Sequence, residues 1–185
     1  MALLRDRLST PAGDLLTWSR GGAVVALCFA DGGPAMAARL ARRLPGARFT
    51  DGAGPARPAL TAYLSGDLRA LDAIAIDPGG TDFQRLVWGA LRSIPPGETR
   101  AYGALAAALG RPTAARAVAA ANGRNPVALV VPCHRVIGAD GGLTGYAWGL
   151  ERKRWLLAHE GAWPPGRGSR RDREAPAEAA PGVSS

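Results

Sequence analysis

Tyr102-Gly103-Ala104-Leu105-Ala106-Ala107-Ala108-Leu109-Gly110-Arg111-Pro112-Thr113-Ala114-Ala115-Arg116-Ala117-Val118-Ala119-Ala120-Ala121-Asn122 is the stretch that decides the fold. One helix is predicted over Tyr102 to Leu109 and another over Ala114 to Asn122, with Gly110-Arg111-Pro112 turning the chain between them. Two short helices across a tight glycine turn are a helix-turn-helix signal. On the second helix Ala114, Val118 and Ala121 share a face that packs inward, while Arg116, Ala119, Ala120 and Gly123 share the opposite one. That outward face is one long cation among small residues, able to bring its backbone close to a nucleic-acid groove. Arg116 also lies in the first turn, where helix N-termini attract phosphate. Taken alone, the same face reads as an ordinary alanine-rich helix with a solvated arginine.

Upstream, Phe83, Val87, Ala90 and Leu91 recur at helical spacing behind Thr81, a fitting N-cap, and Ile94-Pro95-Pro96-Gly97 ends that helix. Asp77-Pro78-Gly79-Gly80 breaks the chain and sets a domain boundary. The expected organisation is an N-terminal α+β domain over 1–76, a linker over 77–80, a mostly α domain over 81–163, and a disordered tail over 164–185. In the first domain Asp14 to Ser19 and Ala23 to Phe29 read as strands joined at Arg20-Gly21-Gly22. A helix from Gly33 or Pro34 to Leu44 follows, Pro45 to Pro58 reads as loop, and Ala59 to Ser65 has helical spacing. The tail is rich in Gly, Pro, Arg, Glu and Ser and has no apolar periodicity.

The run Val130-Val131-Pro132-Cys133-His134-Arg135-Val136-Ile137 sets a thiol beside an imidazole inside an apolar stretch. The thiolate is the nucleophilic form, so cysteine beside a base and a cation carries the ingredients of an activated sulfur. Cys28 lies in Val24-Val25-Ala26-Leu27-Cys28-Phe29 and reads as an inert core residue. Two cysteines and two histidines are too few for a structural zinc site with four side-chain ligands, and no metal is expected. A disulfide would silence Cys133, which favours reduced thiols and a cytoplasmic setting. No apolar stretch approaches the ~18 residues that a membrane span needs.

The 185 residues carry a net charge of +8, and Lys153 is the only lysine among 23 basic residues. Arginine forks suit phosphate, but abundant Ala, Gly, Pro and Arg also read as compositional bias. The charge by itself only mildly favours nucleic acid.

With the helix pair and Cys133 both in view, the chain resembles the 6-O-alkylguanine-DNA alkyltransferases, especially the bacterial single-polypeptide form. The likeness runs through Asp77-Pro78-Gly79-Gly80-Thr81, Tyr102-Gly103, Ala115-Arg116-Ala117-Val118, Asn125-Pro126, Pro132-Cys133-His134-Arg135-Val136, Gly145-Tyr146 and Leu156-Leu157-Ala158-His159-Glu160-Gly161. These motifs cover about half the chain; the N-terminal part agrees only in its general pattern of strands and helices. The resemblance implies a ribonuclease H-like N-terminal domain and a winged helix-turn-helix-like catalytic domain.

In function, it implies repair of double-stranded DNA by direct reversal, without a cofactor. A lesion-bearing guanine is flipped out of the stack, and a methyl or small alkyl group passes once and irreversibly from its 6-oxygen to Cys133. Alkyl groups on the 4-oxygen of thymine are expected to react too. His134 is the implied base, acting through a water, since neighbouring side chains in an extended segment point apart. Glu160 orients the imidazole and Asn125 holds the turn that presents the cysteine. Tyr102 supports flipping and donates to the guanine ring, and Arg116 fills the vacated place in the stack. Backbone groups of Cys133 and Val136 read the exocyclic amine, and amides near Tyr146 and Ala147 meet the 6-oxygen. Thr113, Ala115, Ala119, Ala120, Gly123 and Arg135 complete the expected DNA-contacting set, with Arg135 equally readable as structural. The protein is expected to act as a monomer, with cooperativity on DNA left open.

Trp148 stands where some members carry glycine, which should narrow the pocket against bulky groups such as benzyl; Ala147 replaces a residue that is polar in some relatives. Three rivals are weighed against this reading. A silent lesion sensor would lack Cys133. A sequence-reading regulator would need polar side chains where Ala119, Ala120 and Gly123 stand. A Cys/His hydrolase leaves the Arg116 helix without a purpose.

Overall fold

Residues 2–163 are described by the structure, a computed structural model. The expected disordered tail lies outside them. Strand β1 (Ala2–Leu8) runs antiparallel to β2 (Leu15–Arg20), and β2 antiparallel to β3 (Ala23–Phe29). Helix α1 (Gly33–Arg43) then leads to β4 (Arg48–Asp51), which pairs parallel with β1 and closes a mixed sheet of order β3-β2-β1-β4. Two of these strands depart from the sequence reading. The segment from Pro45 to Pro58, expected as loop, contains β4, and β1 went unrecognised. Both pair by their backbone ladders, and their side chains are rich in polar pairs: Arg5 on Asp51, Arg7 on Asp14, and the buried Asp6 on Arg57 and the Gly54 amide. Charged residues of this kind hide a strand from a search for apolar alternation.

From Val24 to Phe29 β3 is buried on both faces, as an uninterrupted apolar run allows. The register slips opposite Trp18 and Ser19, so Val25 and Ala26 both join Cys28 on the side covered by Met36 and Leu40 of α1. On the other side Val24, Leu27 and Phe29 enter a core that continues into the C-terminal half. Helix α2 (Arg57–Leu64) brings Leu60 and Tyr63 to that core. The outer edge of β3 is covered too: Val24 bridges Ile76, and Leu27 bridges Val127. An unpaired edge would invite another chain; here it carries the segment that leads to Cys133.

Helix α3 (Asp82–Arg92) starts on a capping box, in which the Gln84 amide donates to Thr81 Oγ1 and the Thr81 amide to Gln84 Oε1. Its most buried residues are Val87, Trp88 and Leu91, with the expected Phe83 and Ala90 only half-buried. The stripe turns toward Trp88 because its indole finds a polar partner, donating to the Ala121 carbonyl at 2.9 Å. Gly80, at φ +88, passes beneath that ring, where a Cβ would come within 2.7 Å. The short β5 (Arg100–Ala101) leads into α4 (Tyr102–Ala108), and α5 (Ala115–Gly123) follows across the glycine turn. Finally β6 (Val136–Ile137) pairs parallel with β5, and α6 (Leu150–His159) packs against the turn that holds Cys133. Among the described residues no helix is long and apolar enough to cross a membrane.

Candidate active site

The cysteine sits at the end of a segment wound by one side chain. Asn125 Oδ1 accepts from the Val127 amide at 2.9 Å, and Asn125 Nδ2 donates to the Val131 carbonyl at 2.8 Å. Between them Leu129 takes φ 65, the one positive φ of a non-glycine residue among the described residues. A leucine there costs about 1–2 kcal/mol. The Asn125 bonds, at roughly 1 kcal/mol each, are enough to hold it. Asn125 Nδ2 also lies 3.1 Å from Cys133 Sγ, so the residue that winds the turn donates to the sulfur.

Cys133–Arg135 form a 3₁₀ turn, not the extended segment expected from sequence. With about three residues per turn, successive side chains leave the backbone in three directions. Cys133 faces a cavity, while His134 and Arg135 turn to Glu160 at the end of α6. His134 Nε2 is 3.0 Å from Glu160 Oε1. The guanidinium of Arg135 grips both carboxylate oxygens, with Nε on Oε2 and Nη2 on Oε1 at 2.8 Å each, and Nη1 donates to the Ile94 carbonyl at 2.6 Å. Arg135 is only 4% exposed. The expectation that it contacts DNA is therefore corrected: buried in the protein, it puts two donors on the Glu160 carboxylate and one on the Ile94 carbonyl.

Burial opposes ionisation of Glu160, but His134 and Arg135 outweigh it and hold the carboxyl far below the usual range. An ionised carboxylate can only accept, so the proton on His134 sits on Nε2 and leaves Nδ1 with a free lone pair. Nδ1 is buried and has no hydrogen-bond partner. Burial also depresses the basicity of His134 despite Glu160 beside it. The imidazole is thus neutral, oriented and unpaired at Nδ1. Burial pushes the Cys133 thiol up, opposed by the Asn125 donor, by Lys153 and by the backbone amides of Cys133 and His134. The resting sulfur is a thiol beside a prepared base.

A cavity of about 580 Å³ opens over Cys133, lined by Tyr102, Ala119, Asn122, Gly123, Asn125 and the segment Thr144 to Trp148. Its volume is that of a site for a small molecule or a single base. The α5 residues Ala119 and Gly123 form part of this wall, so the helix read as a DNA tool borders the nucleophile's pocket. Arg116 stands exposed in the first turn of α5, with Thr113, Ala120 and Gly123 also exposed and Ala115 half-buried. Tyr102 opens α4; burial raises its hydroxyl's pKa, which hydrogen bonding to Thr144 and Asn122 opposes. The Tyr146 hydroxyl is buried without a partner, and burial raises its pKa strongly. Ala147 is exposed at the mouth, and Val136 is fully buried in β6. The Trp148 ring packs on Phe29 at 6.3 Å between centroids and covers Gly32, where a Cβ would meet it at 2.1 Å.

Three residues of this site were not singled out from sequence. Asn122 points inward from α5, donating to the Cys133 carbonyl at 3.5 Å with its Oδ1 buried and unpartnered. Lys153 is fully buried and donates to the Val136 carbonyl at 2.6 Å and the Thr144 carbonyl at 2.7 Å, tying β6 to the loop that roofs the cavity. Burial brings its ammonium down to about 8, against the attraction of Cys133. A lone lysine in a chain that otherwise uses arginine was a usable signal. Tyr63, which donates to Glu160 Oε1 at 2.8 Å, gave none.

Comparison with known proteins gives a consistent picture. A family model described as 6-O-methylguanine DNA methyltransferase, DNA binding domain, matches residues 82–162. A curated protein of Salmonella typhimurium named methylated-DNA--protein-cysteine methyltransferase is 62% identical over 102 residues, which are 55% of this chain and 60% of that protein. One of the same name from Methanosarcina acetivorans is 56% identical over 103 residues, 56% of this chain and 65% of that one. The match thus spans less than two thirds of these relatives' own length. Among solved structures, Mycobacterium tuberculosis OGT in complex with DNA superimposes with a TM-score of 0.72 at 41% identity, over 86% of this chain and 93% of that one.

Proposed function

The chain belongs to the 6-O-methylguanine DNA methyltransferase family, and on that premise we propose that it repairs DNA by direct, single-use transfer of a methyl or small alkyl group from the guanine 6-oxygen to Cys133. The observation that carries the proposal is the position of Cys133 on the floor of a cavity walled by α5, with a donor on its sulfur and an unpaired Nδ1 on the adjacent buried His134.

In this scheme α5 lies along the duplex, Arg116 takes the place of the flipped base, and the lesion enters beside Tyr102 and Tyr146. The thiol proton passes through a water to His134 Nδ1, and the imidazolium is stabilised by Glu160. The thiolate attacks the methyl carbon from the side opposite the oxygen. The S–C bond forms as the C–O bond breaks, and its electron pair returns to the purine. Amides near Tyr146 and Ala147 meet the charge growing on the 6-oxygen. The proton taken from sulfur goes back to the purine, leaving S-methylcysteine and guanine. Neither Cys133 nor the protein is regenerated. Thymine alkylated at its 4-oxygen is a second substrate on the same chemistry.

The finer fold assignment belongs to the same proposal. The mixed β3-β2-β1-β4 sheet with α1 on one face supports a ribonuclease H-like N-terminal unit over 1–76. The α4–α5 pair with the β5–β6 ribbon supports a winged helix-turn-helix unit over 81–163. A cytoplasmic setting fits the two free cysteines, Cys28 and Cys133.

The test is intact mass after incubation with a several-fold excess of a duplex bearing methylguanine. One methyl group, mapped to the Cys133 peptide, is expected, with no second transfer under excess lesion. Turnover without a modified protein overturns the proposal.

Trp148 bears on how large a group is accepted. Its ring lines the cavity and is wedged over Gly32, so it cannot swing outward without losing its contact with Phe29. Transfer from a benzylated guanine should be slower than from a methylated one by about tenfold or more, as expected when extra atoms must displace a packed ring. Trp148→Gly should recover benzyl transfer while losing about 3–5 kcal/mol of stability. Equal benzyl and methyl rates in the unaltered protein would remove Trp148 as a limit on size.

A further inference from the structure

The carboxylate behind His134 is held from the other half of the chain. Glu160 Oε1 accepts from His134 Nε2, from Arg135 Nη2 and from Tyr63 Oη, at 3.0, 2.8 and 2.8 Å. Tyr63 stands on α2, which reaches the site as part of the N-terminal half, and its side chain is fully buried. It is gripped on a second side by the residue before Glu160. His159 Nε2 lies 2.8 Å from the Tyr63 carbonyl, and the two rings meet edge-on with centroids 5.0 Å apart. The last residue of α6 and the one that caps it thus fix the backbone and the hydroxyl of one tyrosine. Burial, reinforced by Glu160, raises the hydroxyl's pKa well beyond that of free tyrosine, so it is a permanent donor.

We propose that Tyr63 is a positioning residue of the transfer reaction: by donating to Glu160 it fixes the carboxylate against His134 and draws off part of its charge, and so sets how readily His134 takes the proton of Cys133. The inference rests on the assignment of His134 as base. An acceptor shared among three donors gives each less than it would give one, so the tyrosine weakens the pull of Glu160 on the imidazolium. The ionisable groups that act on His134 are Glu160 just past α6, Arg135 on its own turn and Lys153 on α6, with Cys133 next to it in the chain and Tyr63 of α2 reaching it through Glu160. Of these, Tyr63 alone comes from the N-terminal half. That half thereby has a part in the chemistry besides covering the core.

The test is Tyr63→Phe, which keeps the ring packed on His159 and removes only the hydroxyl. Single-turnover methyl transfer is followed against pH in the unaltered protein and the variant, with the His134 ring titrated by NMR in both. Loss of the donor leaves more charge on Glu160 facing His134, so the imidazolium is better stabilised and the imidazole is protonated at higher pH. The acid limb of the rate profile and the His134 midpoint should both move up by about half a unit or more. The rate on that limb should fall about threefold or more, as the same shift requires. A tyrosine that merely fastens α2 to α6 would leave both midpoints in place, whatever happened to the rate. Unmoved midpoints overturn the proposal. Should the phenylalanine variant not fold, 3-fluorotyrosine at position 63 is the second arm. The stronger donor must shift both midpoints down, and no shift overturns the proposal. Failure of the unaltered protein to methylate Cys133 would instead strike the reading of the site itself.

Discussion

Cys133→Ser leaves no measurable methyl transfer in a single-turnover assay, while the protein folds and binds duplex DNA as before. A serine hydroxyl gives up its proton far less readily than a thiol, and its oxygen is a poor match for displacement at a methyl carbon. His134, held neutral and weakly basic by its burial, cannot make up that difference. Loss of a nucleophile served by a dedicated base costs at least about a thousandfold. The local structure should survive: serine still fits the nearly closed site and offers an acceptor to Asn125 Nδ2, which now donates to sulfur at 3.1 Å. Stability within about 1 kcal/mol of the parent is expected for so small a change. Cys28→Ser supplies the contrast. That thiol lies in the core beside Met36 and Leu40, and burial, with Asp31 nearby, pushes it up to about 12. Transfer should persist in Cys28→Ser, and intact mass of the two variants after exposure to lesion DNA decides between them. Methylation surviving in Cys133→Ser would put the acceptor elsewhere.

What the sequence revealed depended on how far apart the cooperating residues lie. The α4–α5 turn, the Thr81 cap and the Cys133-His134 pair are local, written in residues within a few positions of each other, and the structure has the corresponding helices and turn. Strands β1 and β4 are hidden because many of their side-chain partners are polar and non-local, as in Arg5 on Asp51, 46 residues away. The segment at Cys133 reads as extended because apolar residues flank it on both sides, yet it forms a 3₁₀ turn. Its true shape depends on Asn125 and on Glu160, neither adjacent to it. Tyr63 meets Glu160 across 97 residues, and no pattern of spacing could join them. Trp88 displaced Phe83 from the inner stripe of α3 because a carbonyl on α5 was waiting for its indole. Hydrophobic periodicity counts apolar atoms and is blind to such a partner.

Arg135 is where the sequence admits two roles and the geometry separates them. As a phosphate contact, Arg135→Ala would weaken DNA binding and reduce the salt dependence by about one counterion, with stability hardly altered. As the clamp on Glu160, the same change strips three hydrogen bonds from the site and leaves a buried carboxylate with only His134 and Tyr63. Breaking a buried pair in this way costs about 3–5 kcal/mol, because the remaining charge cannot be rehydrated. In a chain of this size each kcal/mol shifts the melting temperature by about 2–4 °C, so a fall of roughly 10 °C is expected. The slope of DNA affinity against salt should not move. Arg135→Lys is predicted to recover little: a single ammonium cannot bridge both oxygens of Glu160 and reach the Ile94 carbonyl together. The loss should also depend on pH. The Glu160 carboxyl is held below its unfolded value, so the pairing stabilises the protein above about pH 4.3. That contribution fades as the pH falls through the folded value, and the parent and Arg135→Ala melting temperatures should converge in acid. A constant gap down to the lowest pH at which the parent folds would show that Arg135 stabilises the protein through packing, independent of the charge on Glu160.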